Sequence, residues 1–201
     1  MLFAVNKKMT IKPFDISDLA LKIKKGSLAL FPTDTLPALC SSPEYANKIW
    51  KIKKRSLNKP LILMGGCLDD LFEFVDTSAV EDGLKIAKIY WPGALTIVLP
   101  STGRISKYLN CNSNSLGFRV PDLKIARDFL LKTGPLATTS ANISGNTPVE
   151  NALEASMQFP GIPILGPLPW PISSGIGSTI VEWKDGQWNL IRTGSVVFNT
   201  N

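Results

Sequence analysis

Histidine is absent from this chain. That removes the Ser-His-Asp and Cys-His arrangements of nucleophilic catalysis and the usual zinc-hydrolase sites. Cysteine is scarce: Cys40, Cys67 and Cys111 are far apart, odd in number and without a Cys-x-x-Cys pair. A disulfide framework or zinc site does not fit that pattern. No apolar run approaches the roughly 20 residues of a membrane span, and Met1–Lys8 lacks the long apolar stretch and cleavage site of a signal peptide. A soluble cytoplasmic protein with no membrane partner is expected. There is no internal repeat, no G-x-G-x-x-G after the first strand and no G-x-x-x-x-G-K-[ST] anywhere. Chemistry in such a chain must run on Lys and Arg, hydroxyls, carboxylates, backbone dipoles or a bound metal.

What is present suits one sizeable core. The chain has 201 residues, 44% of them hydrophobic, with no linker-like shift in composition. One domain is expected over residues 1–201, with its core at about 14–198. The net charge of +6, from 22 basic and 16 acidic residues, favours anionic partners such as nucleotides or RNA. Lys48, Lys51, Lys53, Lys54, Arg55 and Lys59 form one basic cluster, which reads either as a solvated helix face or as part of a phosphate site.

Periodicity alternates between helix and strand. Ile16, Leu19, Ala20 and Ile23 recur at helical spacing, and Gly26 suits the helix end. Leu28–Phe31, Leu61–Met64, Leu95–Leu99, Leu116–Val120 and Leu136–Thr139 read as buried strands. Helices are expected after Ser42-Pro43 through Trp50, near Leu68–Val75, and after a Ser78-x-x-Glu81 capping box toward Trp91. Two more are expected near Leu123–Lys132 and over Thr147–Phe159. Thr179–Trp183 and Trp188–Ile191 flank a turn signal and read as a hairpin. The pattern predicts an α/β fold with a twisted, mixed parallel and antiparallel sheet flanked by helices.

Five segments carry candidate chemistry. Thr138–Gly145 (TTSANISG) runs from a buried strand into an uncharged loop of hydroxyls, an amide and a glycine; it suits a bound phosphate or is an ordinary polar turn. Pro32-Thr33-Asp34-Thr35 sits at a strand end, where loops often carry sites, or is only cap chemistry. Lys53 and Arg55 flank one residue just past a helix; an extended chain there would aim both heads to one side as a polyphosphate clamp. Arg119 interrupts an apolar strand, so it must be paired or face a cleft, because burying it alone costs roughly several kcal/mol. Ser178 opens one arm of the hairpin and Arg192 closes the other. Trp91-Pro92-Gly93 reads as structural, a core Trp followed by a turn.

Seven of these pieces, in order, resemble the YrdC/TsaC family of L-threonylcarbamoyladenylate synthases. They are PTDT at Pro32–Thr35, KxR with KPL at Lys53–Leu61, WPGALTIVL at Trp91–Leu99, FRVP at Phe118–Pro121, SANISG at Ser140–Gly145, STIV at Ser178–Val181 and IRTG at Ile191–Gly194. The resemblance implies a single YrdC-like domain with a concave basic cleft. It implies formation of threonylcarbamoyl-AMP and pyrophosphate from ATP, L-threonine and bicarbonate, with Mg²⁺ accompanying ATP and no dedicated protein metal site. A downstream transferase would place the product on adenosine 37 of tRNA, and double-stranded RNA or tRNA is a further implied partner. By resemblance Lys53 and Arg55 hold the phosphates and serve catalysis, and Ser115, Ser140, Asn142 and Arg192 complete the nucleotide site. Thr33 or Thr35, Arg119 and Ser178 would hold threonine. The family's PTDTxYGL is here Leu36-Pro37-Ala38-Leu39 after PTDT, and Ile62-Leu63-Met64-Gly65 stands where many members have a His after KPL. The Pro-rich Gly166–Pro171 reads as a lid or a stiff loop, and the length leaves no room for the extra C-terminal domain of longer relatives. The altered first motif motivates an alternative, a non-catalytic RNA-binding protein on the same fold acting in RNA or ribosome maturation.

Overall fold

The computed structural model describes residues 11–103, 105–109 and 113–199. The reading of Met1–Lys8 and Cys111 lie outside them. Eight strands form one sheet: β1 (Ala29–Phe31), β2 (Ala38–Ser41), β3 (Ile62–Met64), β4 (Leu95–Pro100), β5 (Ser115–Arg119), β6 (Leu136–Ser140), β7 (Thr179–Lys184) and β8 (Gln187–Arg192). Their spatial order is β1-β2-β6-β3-β5-β4-β7-β8. The β3–β5 and β4–β7 ladders are parallel and the others antiparallel, so the sheet is mixed as expected. The helices are α1 (Ile16–Lys24), α2 (Asn47–Lys53), α3 (Asp69–Phe72), α4 (Val80–Tyr90), α5 (Ile105–Leu109), α6 (Lys124–Thr133) and α7 (Ala152–Gln158). Among the described residues, no helix is long and apolar enough to cross a membrane.

Strand side chains alternate between faces, and the two faces have different fates. Leu30, Leu39, Leu63, Ile97, Leu99, Phe118, Ala137 and Val181 point to one face and are buried with Ile49 and Trp50 of α2, Ala87 of α4, Leu109 of α5 and Ala155 of α7. The opposite face divides. Ala29, Phe31, Ala38, Cys40, Met64 and Leu136 pack under Leu19 and Ile23 of α1 and Ala126, Phe129 and Leu130 of α6. Phe129 meets Phe31 at 5.5 Å between ring centres. Burial of each such large side chain contributes roughly 1.5–3 kcal/mol. Beyond β3 that face loses its helical cover and opens as a cleft.

Several local expectations need correction. Residues 147–150 are not helical: Pro148 disfavours helical backbone at Thr147, and α7 starts later, with Asn151 as its cap. Asn151 Oδ1 accepts the Glu154 N–H at 3.0 Å, and Glu154 reaches back to the Glu150 N–H at 2.9 Å. The Ser78–Glu81 capping box does not form; Asp76 accepts both the Ser78 N–H and its hydroxyl, and Glu81 pairs with Lys85. Ser42 makes no cap bond but donates to the Ile23 carbonyl, and Pro43–Tyr45 is a 3-10 turn leading into α2. Strand β2 was hidden by the prolines and polar residues around it, and α5 by its shortness. Gly26, at φ +82°, ends α1 as expected, and the hairpin turns through Asp185 and Gly186, both at positive φ.

Candidate functional site

The cleft has a volume of about 630 Å³. Its floor follows from strand register. Thr138 pairs with Ile62, Ile62 with Gly117, Gly117 with Val98, and Val98 with Glu182, so five strands place these side chains in one row. A Cβ on Gly117 would lie 3.0 Å from Ile62 Cγ2 and 3.2 Å from Thr96 Cγ2, so glycine keeps the middle of the floor low. Of the residues expected at the site, Thr33, Thr35, Arg55, Ser115, Arg119, Ser140, Ser178 and Arg192 all line this cleft.

At one end Arg119 closes β5 and is only 3% exposed. Its Nη2 donates to Asp34 Oδ1 at 2.7 Å, its Nη1 to Thr35 Oγ1 at 2.7 Å and its Nε to the Gly93 carbonyl at 3.0 Å. A guanidinium has five N–H donors, so two remain for other acceptors. Asp34 also accepts the Asp122 N–H at 3.1 Å. Thr33 shapes the turn that presents these groups: its hydroxyl donates to the Leu36 carbonyl at 2.7 Å and accepts the Leu36 N–H at 3.2 Å. Desolvation lowers the pKa of Arg119, Asp34 opposes that shift, and Arg192 adds a like-charge push downward.

The opposing wall is the β7–β8 hairpin. Pairing brings Ser178 and Arg192 together: the Ser178 carbonyl accepts from Arg192 Nη2 at 2.6 Å and Nε at 3.1 Å. The Ser178 hydroxyl lies 2.8 Å from Thr96 Oγ1, which ties the wall to β4. The backbones pack closely here, since a Cβ on Gly194 would fall 2.2 Å from the Gly177 carbonyl oxygen. The Ile172–Ile176 segment docks on the first loop, with Ser174 N–H to Asp34 O at 3.0 Å and Gly175 N–H to Thr35 O at 3.1 Å. Trp170 is buried upstream and anchors that segment through its indole N–H, 2.7 Å from the Leu165 carbonyl.

The expectation of an extended Lys53–Arg55 segment is corrected. Lys54 adopts the left-handed conformation as the C-cap of α2, at φ 50°. That turn separates the two heads. Arg55 faces the cleft and braces itself on the Lys59 and Pro60 carbonyls at 3.2 and 3.0 Å. Lys53 is 1% exposed and lies behind the wall, donating to the Ser140 carbonyl and to the Asn142 carbonyl at 2.6 Å. Desolvation, aided by Arg55, pushes its pKa down to about 7. Asn142 is likewise turned inward: its Oδ1 accepts the Ser140 hydroxyl at 2.7 Å and its Nδ2 donates to the Asn146 carbonyl at 2.9 Å. Lys53 and Asn142 therefore set the shape of the SANISG loop in this structure.

Sequence reasoning passed over Thr96, Gly117 and Glu182, and it named Thr138, Gly177 and Lys59 only as members of longer segments. Each lines the cleft. Strand alternation offered a signal for Thr96, Thr138 and Glu182, all polar on strands whose other face is apolar. Trp91 is structural as expected, its indole donating to the Leu95 carbonyl at 2.7 Å, but its neighbour Gly93 supplies the carbonyl that orients Arg119. No group of three or more His, Cys, Asp or Glu that could hold a metal occurs among the described residues.

Comparison with known proteins gives a consistent answer. The sequence model of the Sua5/YciO/YrdC family, described as "Telomere recombination", matches residues 22–194. The chain is 30% identical to the threonylcarbamoyl-AMP synthase of Bos taurus over 191 residues, 90% of this chain and 68% of that protein. It is 33% identical to the threonylcarbamoyl-AMP synthase of Blochmanniella floridana over 141 residues, 67% of this chain and 74% of that one. The crystal structure of Pyrococcus abyssi Sua5 complexed with L-threonine superposes with a TM-score of 0.82 at 28% identity. That match covers 89% of this chain and 54% of the Sua5 chain, so this protein spans about half the length of that relative.

Proposed function

The chain belongs to the Sua5/YciO/YrdC family, and on that premise we propose that it is a threonylcarbamoyl-AMP synthase. It takes ATP, L-threonine and bicarbonate and releases threonylcarbamoyl-AMP and pyrophosphate. Residues 1–201 act as one such domain, with the core at about 14–198. The observation that carries the reading is Arg119: a buried guanidinium, oriented by Asp34, Thr35 and Gly93, with two N–H donors left at the end of a cleft that also holds Arg55, Lys59 and Arg192. Such an end suits an amino-acid carboxylate, with the hydroxyls of Thr35 and Ser178 beside it.

The chemistry needs no covalent nucleophile from the protein. The neutral threonine amine adds to the carbon of bicarbonate, its proton leaving with the expelled hydroxyl as water, to give an N-carboxylate. One oxygen of that carboxylate attacks the α-phosphorus of ATP, and the bond to the β-phosphate bridging oxygen breaks to release pyrophosphate. Negative charge builds on the α-phosphoryl oxygens and on the leaving group. Arg55, Lys59 and Arg192 offer fixed positive charge there, and Ser115 and Ser140 offer hydroxyls, so catalysis is positioning plus electrostatic stabilisation. Lys53 supports the Ser140–Asn142 backbone and reaches the phosphates only if it gives up a carbonyl. Mg²⁺ enters with ATP as part of the substrate, held by phosphates and water. The product passes to a transferase acting on tRNA in the cytoplasm.

The test is mass spectrometry of product from the purified chain with ATP, Mg²⁺, bicarbonate and L-threonine, each omitted in turn. Threonylcarbamoyl-AMP should vanish with any omission of ATP, threonine or bicarbonate. It should also be abolished by Lys53→Ala or Arg55→Ala in folded protein. Turnover retained in both variants would sink these two assignments, and no adduct from the parent chain would sink the activity.

A further inference from the structure

Glu182 is out of character with its surroundings. It lines a cleft whose other charged lining residues are Arg55, Lys59, Arg119 and Arg192, and a carboxylate there repels phosphate. It is half-buried on β7, yet its side chain makes no hydrogen bond or ion pair with the described residues. Lys184, two residues further along the same face of β7, is exposed and forms no ion pair with it, and the cations of the cleft are committed elsewhere. Arg192, paired with Ile180 two residues back along β7, turns to the Ser178 carbonyl. Arg55 and Lys59 precede β3, three inter-strand spacings from β7, which is about 14 Å. Glu182 is thus an acceptor without a donor. On its β4 side the neighbourhood is apolar, with Val98 directly beside it and Ile180 and Ile191 lining the same wall; on its β8 side stands the exposed Asn189.

Position along the strand narrows what that donor is. Ser178 lies four residues from Glu182, about 13 Å along an extended chain, so Glu182 is out of reach of an amino acid seated at Arg119 and Ser178. An apolar strip carrying one unpaired carboxylate fits a flat heterocycle or a sugar with N–H or O–H donors. It does not fit a phosphate. We infer that Glu182 is a specificity-determining residue that reads the nucleoside part of the nucleotide, accepting a hydrogen bond from the exocyclic amine of its base or from a ribose hydroxyl. The inference rests on the nucleotide-binding reading given above. On it, the acid trades some repulsion of the phosphates for selection against free polyphosphate and against nucleotides lacking the donor.

The experiment is calorimetric binding to the full chain and to its Glu182→Gln and Glu182→Ala variants, with thermal unfolding as a fold check. Gln keeps the shape and an acceptor oxygen but not the charge, so Ala, which removes the acceptor, is the variant that decides. The probes are ATP, 2′-deoxy-ATP, inosine triphosphate and inorganic tripolyphosphate. Glu182→Ala should bind ATP at least about tenfold more weakly, with Glu182→Gln between it and the parent, and both should bind tripolyphosphate as well as or better than the parent, with L-threonine binding unchanged. The probe lacking the contacted donor should already bind the parent weakly and be indifferent to the substitution. The deoxy probe identifies the ribose, and the inosine probe the base amine. An Ala variant that binds ATP as tightly as the parent, or that tightens ATP and tripolyphosphate equally, overturns the inference and leaves Glu182 a solvated acid. A parent chain that binds no nucleotide overturns the proposed function itself.

Discussion

Replacing Asp34 by Asn tests whether one ion pair makes the burial of Arg119 tolerable. The two side chains are 17% and 3% exposed and meet at 2.7 Å. Removing one partner of a buried pair costs roughly 3–5 kcal/mol, because the survivor keeps its desolvation penalty. Asn retains an acceptor oxygen for Arg119 Nη2 and for the Asp122 N–H, and Asp34 is not fully buried, so we expect the lower figure of about 2–3 kcal/mol. At about 2–4 °C per kcal/mol for a chain of this size, Tm should fall by about 4–12 °C. Differential scanning calorimetry measures it. Saturating L-threonine should stabilise the variant more than the parent, since its carboxylate supplies the missing counter-charge. Asp34→Ala should fall further, having also lost the Asp122 bond. A drop of less than about 1 °C with Asn, and no added benefit from threonine, would refute the reasoning.

Lys53 gives a pH signature. Its folded pKa of about 7 lies below the ordinary value of 10.5, so between those values the unfolded chain binds more protons and stability rises with pH. The penalty is full below pH 7. Above about pH 9 the buried Cys40 thiol, whose pKa is raised by burial, pulls the other way. Lys53→Met should therefore flatten the rise in urea-unfolding free energy between pH 7 and 9; an unchanged slope would contradict the assignment. ATP affinity should fall over the same window if Lys53 must be charged to meet a phosphate, as calorimetry at pH 6.5 and 8.5 would read. Gly194→Ala forces a Cβ into the Gly177–Thr179 backbone and should cost nucleotide affinity at least about tenfold while lowering Tm by several degrees; normal affinity would mean that the hairpin mouth is not part of the site.

The strands and the hairpin were legible because their apolar runs and turn residues act locally. Strand β2 was not, because Pro37 and the polar residues around it mask a segment whose only strong signal is tertiary, its pairing with β1 and β6. The start of α7 was misplaced because Pro148 and Glu150 imitate a helix opening, while the side chain that satisfies the first free N–H groups is Asn151. At the site, residue types announced Arg119 and Arg192, but their partners are 85 and 14 positions away in sequence. Lys53 and Asn142 illustrate the converse: the composition of a loop was readable, and the direction of its side chains was not. Arg55 faces outward and Lys53 inward because a single left-handed residue lies between them.

The cleft is also what remains when two helices cover a sheet too wide for them. Eight strands make seven spacings of about 4.8 Å, about 34 Å of width. Two helices side by side, each about 10 Å across, shelter about 20 Å of it. The remaining width is open floor, where Thr138, Gly117 and Thr96 occupy alternate positions equivalent to those of Phe31, Met64 and Leu136 under α1 and α6. The capacity of the site is thus set by a count of strands against a count of helices. A third helix laid on the same face would fill the site while leaving every residue now assigned to the chemistry in place.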